Sequence, residues 1–266
     1  MTMLSVSSAW RANLYQFCLR RFKALATRIV DFALPPHCMG CGVMVHQQGG
    51  LCPVCWTAID FIERPFCELS GLPFAYDPGE TMVRPEFVDG PPPYTRARSV
   101  MYYNEASARL VSRYKFADRM EAAPAFAHWM VRAGRELLDG ADLVVPVPLH
   151  RKRLFLRRFN QSAELARRVA KLAHLPFVPE LLIRVRATRP QIGLSGTARR
   201  RNVAGAFRLT DGAAALAAGK IVVLIDDVMT TGATVDACAR ALNAAGAREV
   251  RILSLARVVP DGKLSI

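Results

Sequence analysis

The segment from Ile221 to Thr234 restricts what this chain can fold into more than any other part of it. Ile221-Val222-Val223-Leu224-Ile225 is an unbroken apolar run, the pattern of a strand buried on both faces of a parallel sheet. It leads into two adjacent carboxylates, Asp226 and Asp227, then into Met229-Thr230-Thr231-Gly232-Ala233-Thr234, with helical spacing beginning near Ala233. Strand, small-residue turn and helix in that order aim backbone N–H groups at one point, where an anion also gains from the helix dipole. The carboxylates cannot bind that same anion, so they suit neighbouring hydroxyl groups or a cation. Capping the helix would need one such residue, not a pair followed by Thr-Thr-Gly-Ala-Thr.

The remaining patterning places this segment in an α/β fold, a parallel sheet flanked by helices. Strands are expected at 220–226 and 249–256 with a helix at 233–245 between them. Upstream come helices at 105–117 and 122–138, the apolar run Leu143-Val144-Val145-Pro146-Val147, a helix at 160–174 and a short strand at 181–185. Residues 9–33 set Trp10, Leu14, Phe17, Leu25, Ile29 and Phe32 on one helical stripe with a basic opposite face. Packing of that stripe on the protein itself is favoured over peripheral contact with an anionic membrane. Residues 73–98, with Pro73, Pro78, Pro85 and Pro91-Pro92-Pro93, look like an extended linker. The expected organisation is therefore an amphipathic basic helix at 1–34, a cysteine module at 35–72, a Pro-rich linker at 73–98 and the α/β domain at 99–266. No internal repeat is apparent. No apolar run is long enough to cross a bilayer, and the basic residues in 9–34 exclude a secretory signal, so the chain is expected in the cytoplasm.

The segment around Asp226 resembles the signature with which type I phosphoribosyltransferases bind phosphoribosyl pyrophosphate (PRPP). By that resemblance Asp226 and Asp227 take the ribose hydroxyls, and Met229, Thr230, Thr231, Gly232, Ala233 and Thr234 form the 5-phosphate loop, with magnesium accompanying the ligand. Purine-salvage members carry an Asp at the position of Thr230, and a threonine there cannot serve as a carboxylate base, which argues against purine salvage. Two basic loops add to this. Arg151-Lys152-Arg153-Leu154-Phe155-Leu156-Arg157-Arg158 lies between a strand end and a helix, and its guanidinium groups, Arg157 and Arg158 above all, suit a departing pyrophosphate. The stretch from Arg184 to Val203 is polar, basic and loop-like. The first loop is read as a pyrophosphate site in preference to a nucleic-acid contact. The second could close over a charged intermediate and exclude water, or equally track a nucleic-acid backbone. The formal charge of +14 favours polyanions generally.

Cys38-Met39-Gly40-Cys41 and Cys52-Pro53-Val54-Cys55 are two CxxC knuckles separated by ten residues. Cys38, Cys41, Cys52 and Cys55 suit tetrahedral zinc, and a site closed by four thiolates stabilises a fold without offering a position for catalysis. A cysteine module joined to a phosphoribosyl motif resembles the ComF family, proteins with a zinc ribbon and a phosphoribosyltransferase-like domain linked to natural competence and DNA uptake. The resemblance also rests on Pro146-Val147-Pro148, Arg157 with Phe159-Asn160-Gln161, Gln191 with Leu194, and Arg199 through Val203 with Ala206-Phe207. It implies PRPP binding and transfer of the phosphoribosyl group with release of pyrophosphate. The alternative is a non-catalytic factor that binds single-stranded DNA beside competence proteins. Two departures stand out. Arg158 occupies a usual glycine position, and Cys67 faces Ser70 where relatives carry a further CxxC pair, so a single zinc is expected.

Overall fold

The computed structural model describes residues 35–77, 79, 82–116, 120–150, 159–186, 201 and 203–259. The proposed helix at 9–33 lies outside them. Four strands, β1 (Arg96–Tyr102), β2 (Leu143–Pro146), β5 (Ile221–Met229) and β6 (Glu249–Arg257), form a sheet in the order β1-β6-β5-β2 with every pair parallel. A short antiparallel pair, β3 (Leu182–Arg184) and β4 (Phe207–Leu209), lies apart from it. The helices are α1 (Pro53–Thr57), α2 (Pro85–Val88), α3 (Glu105–Phe116), α4 (Ala123–Ala133), α5 (Arg135–Leu138), α6 (Gln161–Ala173), α7 (Ala214–Ala217) and α8 (Ala233–Ala244). None among the described residues is long and apolar enough to cross a membrane.

Side chains alternate across a strand, and the central strands supply a core on each face. Val223 and Ile225 of β5 join Tyr114, Phe126, Met130 and Leu165 on one face. Val222 and Leu224 join Val235, Leu242 and Ile252 on the other. Helices α4 and α6 thus cover one side of the sheet and α8 the other, as unbroken apolar strands demand.

Three expectations about elements change. The strand at 220–226 runs on to Met229, because β6 continues beside it through Asp226↔Ser254, Val228↔Ala256 and Met229↔Arg257. The helix at 122–138 breaks at Gly134, where a Cβ would lie 2.6 Å from Leu253 Cδ2. The stretch at 73–98 holds α2 and the start of β1, a strand that the sequence pattern does not announce. A repeat also exists. Residues 65–88 reuse the backbone hydrogen bonds of residues 36–57, so that Cys38 N–H donates to Val43 O and Cys67 N–H to Leu72 O at 2.7 and 2.8 Å.

The second half of the cysteine module covers the open edge of β1. Ile62 N–H donates to Val100 O and Tyr102 N–H to Asp60 O, both at 2.9 Å, and Ala97 N–H donates to Leu69 O at 2.8 Å. Arg98, on β1 and only 2% exposed, fixes this join. Its Nη2 donates to Glu68 at 2.7 Å, its Nη1 donates to the carbonyls of Glu68 and Ala97, its Nε donates to Glu136 of α5, and its plane stacks on Phe66. Burial works against ionisation of Glu68, but Arg64 and Arg98 outweigh it and hold the carboxyl below its usual value. Arg98→Met leaves both carboxylates without this partner and is expected to cost about 3 kcal/mol, read as a lower urea midpoint at unchanged slope.

Candidate functional site

The carboxyl ends of β5 and β2 lie side by side, and the conspicuous polar residues of the sequence gather there. Asp226 and Asp227 are the sixth and seventh residues of β5, not the first residues of a loop, so strand pairing holds their backbone. Asp226 is buried, 8% exposed. Its Oδ1 accepts from Asp227 N–H at 2.9 Å and from the hydroxyl of Ser162 at 3.3 Å, while Asp227 Oδ1 accepts from Val228 N–H at 2.7 Å. Met229 ends the strand and is buried, its carbonyl accepting from Val258 N–H at 2.9 Å. Gly232 is the N-cap of α8 with φ +79°, a left-handed conformation that glycine adopts without strain. Gly232 itself has no side chain with which to cap α8. Ala233 and Thr234 open that helix, with Thr230 half-buried and Thr231 exposed before it. The first N–H groups of a helix have no intrahelical partner, so this turn is open to an anion.

The basic loop after β2 starts and ends at the same place. Val147 N–H donates to Ile225 O at 2.9 Å, and Asn160 Nδ2 donates back to Val147 O at 3.1 Å. Asn160 also caps α6 by accepting from Ser162 N–H at 3.1 Å, which sets the Ser162 hydroxyl on Asp226. Arg157 and Arg158 themselves lie outside the described residues, as do Gln191, Leu194, Arg199, Arg200 and Asn202. Ser162 is a site residue that the sequence reading missed. Its only local signal is that it follows Asn160 at the start of a helix.

A further missed residue is Arg257, at the end of β6 and 5% exposed. Its Nη1 donates to Ser70 O at 2.5 Å and reaches Met229 Sδ at 3.5 Å. The cysteine module thereby touches the strand that leads into the turn before α8. A cavity of about 1300 Å³ lined by Trp56, Phe61, Trp129 and Gly140 opens elsewhere, toward the start of β2, and none of Asp226, Asp227 or the turn lines it.

The sulfurs of Cys38, Cys41, Cys52 and Cys55 lie within 4.8 Å of one another, with Cys41 and Cys52 at 3.6 Å. Tetrahedral zinc with bonds of about 2.3 Å sets neighbouring sulfurs about 3.8 Å apart, so the donor set fits. Gly40 belongs to the cradle, since a Cβ there would lie 2.6 Å from Cys55 Sγ. Burial opposes ionisation of Cys38, but N–H groups of Cys52, Cys41 and Gly40 outweigh it and bring the thiol down to about 6. Burial and the other three sulfurs push Cys55 up to about 12. One thiolate thus discourages the next unless a cation sits among them.

Comparison with known proteins recovers both parts of the chain. The double zinc ribbon domain family matches residues 29–84, and the phosphoribosyl transferase domain family matches residues 162–263. The DNA utilization protein YhgH of Salmonella typhimurium is 34% identical over 84% of this chain and 90% of that protein. Competence protein F of Haemophilus influenzae is 27% identical over 83% of this chain and 96% of that protein. Among solved structures, phosphoribosylpyrophosphate synthetase from Mycobacterium smegmatis aligns with 52% of this chain and 34% of its own at 18% identity and a TM-score of 0.33. Carried by the curated relatives and the two matched domains, the assignment is plain: this chain belongs to the ComF family, a zinc ribbon joined to a phosphoribosyltransferase-fold domain.

Proposed function

We propose that the protein binds PRPP, with the turn at 229–234 on the 5-phosphate, Asp226 and Asp227 on the ribose hydroxyls, and magnesium neutralising the pyrophosphate. The observation that supports this most is the juxtaposition at the end of β5, where a carboxylate pair held by the strand stands one short turn from the N-terminus of α8. Acid and anion-binding N–H groups at that spacing match a ligand with hydroxyls at one end and a phosphate at the other. Ser162 and the backbone N–H of Asp227 both hydrogen-bond Asp226, so its position is supported from within the protein.

The reaction open to such a complex is displacement at the anomeric carbon. An acceptor nucleophile forms the new bond to C1, the bond from C1 to the pyrophosphate oxygen breaks, and pyrophosphate leaves with the electron pair, neutralised by Arg157 and Arg158. Asp226 and Asp227 orient the sugar and leave the acceptor's proton untouched, and Thr230 supplies no carboxylate base, so the acceptor must already be nucleophilic or lose its proton to another group. The names of the relatives point to competence and DNA use, and we extend that setting to this chain.

Calorimetric titration of the zinc-loaded protein with PRPP and magnesium tests the reading. Saturable binding is expected, weakened about 10- to 100-fold by Asp227→Asn through loss of a charged acceptor and at least as much by Asp226→Asn. If the wild type binds no PRPP, and instead holds single-stranded DNA in a salt-dependent way that survives Asp226→Asn, the fold has been turned to nucleic acid. Gly232→Ala forces a side chain into a left-handed conformation 3.2 Å from Met229 Cε. It should cost roughly 1–2 kcal/mol, seen as a lower Tm, and weaken PRPP binding in the same titration.

A further inference from the structure

The cysteine module is two copies of one ribbon, superimposed bond by bond. Val45 N–H donates to Pro36 O and Phe74 N–H to Pro65 O, at 2.9 and 3.0 Å. Gly42 N–H returns to Cys38 O and Gly71 N–H to Cys67 O, and both glycines have positive φ, +86° and +68°. Met39 N–H donates to Gly50 O and Glu68 N–H to Met82 O. The bridges His37↔Met44 and Phe66↔Pro73 correspond as well. Each copy then closes onto a short helix with proline in its first turn, and the residue before that proline donates its N–H to the first knuckle sulfur. Cys52 N–H reaches Cys38 Sγ at 3.2 Å, and Arg84 N–H reaches Cys67 Sγ at 3.4 Å.

This correspondence fixes what stands at the four ligand positions of the second copy. Opposite Cys38, Cys41, Cys52 and Cys55 are Cys67, Ser70, Arg84 and Phe87. One thiol, a hydroxyl, a cation and an aromatic ring do not make a zinc site. Position 69 points the same way. Its counterpart Gly40 has no room for a Cβ beside Cys55 Sγ, whereas Leu69 carries a full side chain packed against the core of the α/β domain.

We propose that residues 65–88 are a ribbon that closes without metal, with Arg84 joining the two arms that zinc joins in residues 36–57. Zinc links a knuckle to the start of a helix. Arg84 does so through its own backbone and side chain: its N–H reaches the knuckle sulfur, its Nη2 donates to Pro73 O at 2.6 Å on the hairpin, and its guanidinium stacks 5.4 Å from the centre of Phe74. Closure of this copy matters to the ligand site, because its Ser70 carbonyl is what Arg257 holds beside Met229. The two copies therefore answer to different conditions, the first to metal supply and the second to the Arg84 contacts that close its arms.

The experiment is metal analysis of the full chain combined with amide exchange before and after chelation. One zinc per chain is expected. Chelation should release it and speed exchange across 36–57 while 67–88 keep their protection. Arg84→Met should leave the zinc content at one and speed exchange across 67–88 by about tenfold or more, the value of a charge-assisted hydrogen bond. Two zinc ions per wild-type chain, or loss of protection across 67–88 on chelation, overturns the proposal, and so does an Arg84→Met variant whose exchange there is unchanged. The wild-type measurements decide the question even where the variant does not fold, and none of them depends on PRPP binding.

Discussion

Arg98 brings a full charge into a strand whose neighbours in the sheet are buried, and everything around it is arranged to make that tolerable. Two carboxylates from elements on either side, two carbonyls and an aromatic ring surround its guanidinium. A buried arginine is stable only when its donors are matched, and matching it draws together the cysteine module, the edge strand and α5. The module is consequently part of the sheet's construction. Its residues 60, 62 and 69 hydrogen-bond to β1, and its knuckle carbonyl at Ser70 reaches across to Arg257 at the end of β6.

What the sequence made legible follows the range of the interactions involved. β5 and its acidic pair could be read because the apolar run, the turn and the helix are contiguous. The first CxxC pairs could be read because thiols at short spacing have few other uses. β1 could not be read. Arg96-Ala97-Arg98-Ser99 looks like an exposed segment until Glu68 and Glu136 are brought beside it, 30 and 38 residues away. The repeat escaped for a different reason. Only Pro36 and Pro65, Cys38 and Cys67, Gly42 and Gly71, and Pro53 and Pro85 retain the same residue, and the likeness resides in backbone hydrogen bonds that tolerate almost any side chain. Ser162 illustrates the same limit in the ligand site, since a serine at a helix start signals a turn and only the fold sets its hydroxyl on Asp226.

The candidate site is anchored in the middle of the sheet. Asp226, Asp227 and Met229 belong to a central strand with neighbours on both sides, so their positions follow from the sheet itself. Val147 and Asn160, which flank the basic segment after β2, are joined to each other by a hydrogen bond. The acidic pair is thus tied to the centre of the sheet, and any change to its position would have to pass through strand pairing.

The other margin of the sheet is also occupied. Val144 of β2 donates to Pro176 O and accepts from Val178 N–H, at 2.9 and 3.0 Å, so the chain following α6 lies along β2 much as the module lies along β1. Open strand edges are where sheets join to one another and where aggregation by strand addition begins. Among the described residues both margins of this sheet carry bonds within the same chain, which leaves less unpaired edge for strand addition by a partner protein or a second copy. Helix faces, the ribbon surface and the rim around the carboxyl ends of the strands then stay as the surfaces that such a companion could reach.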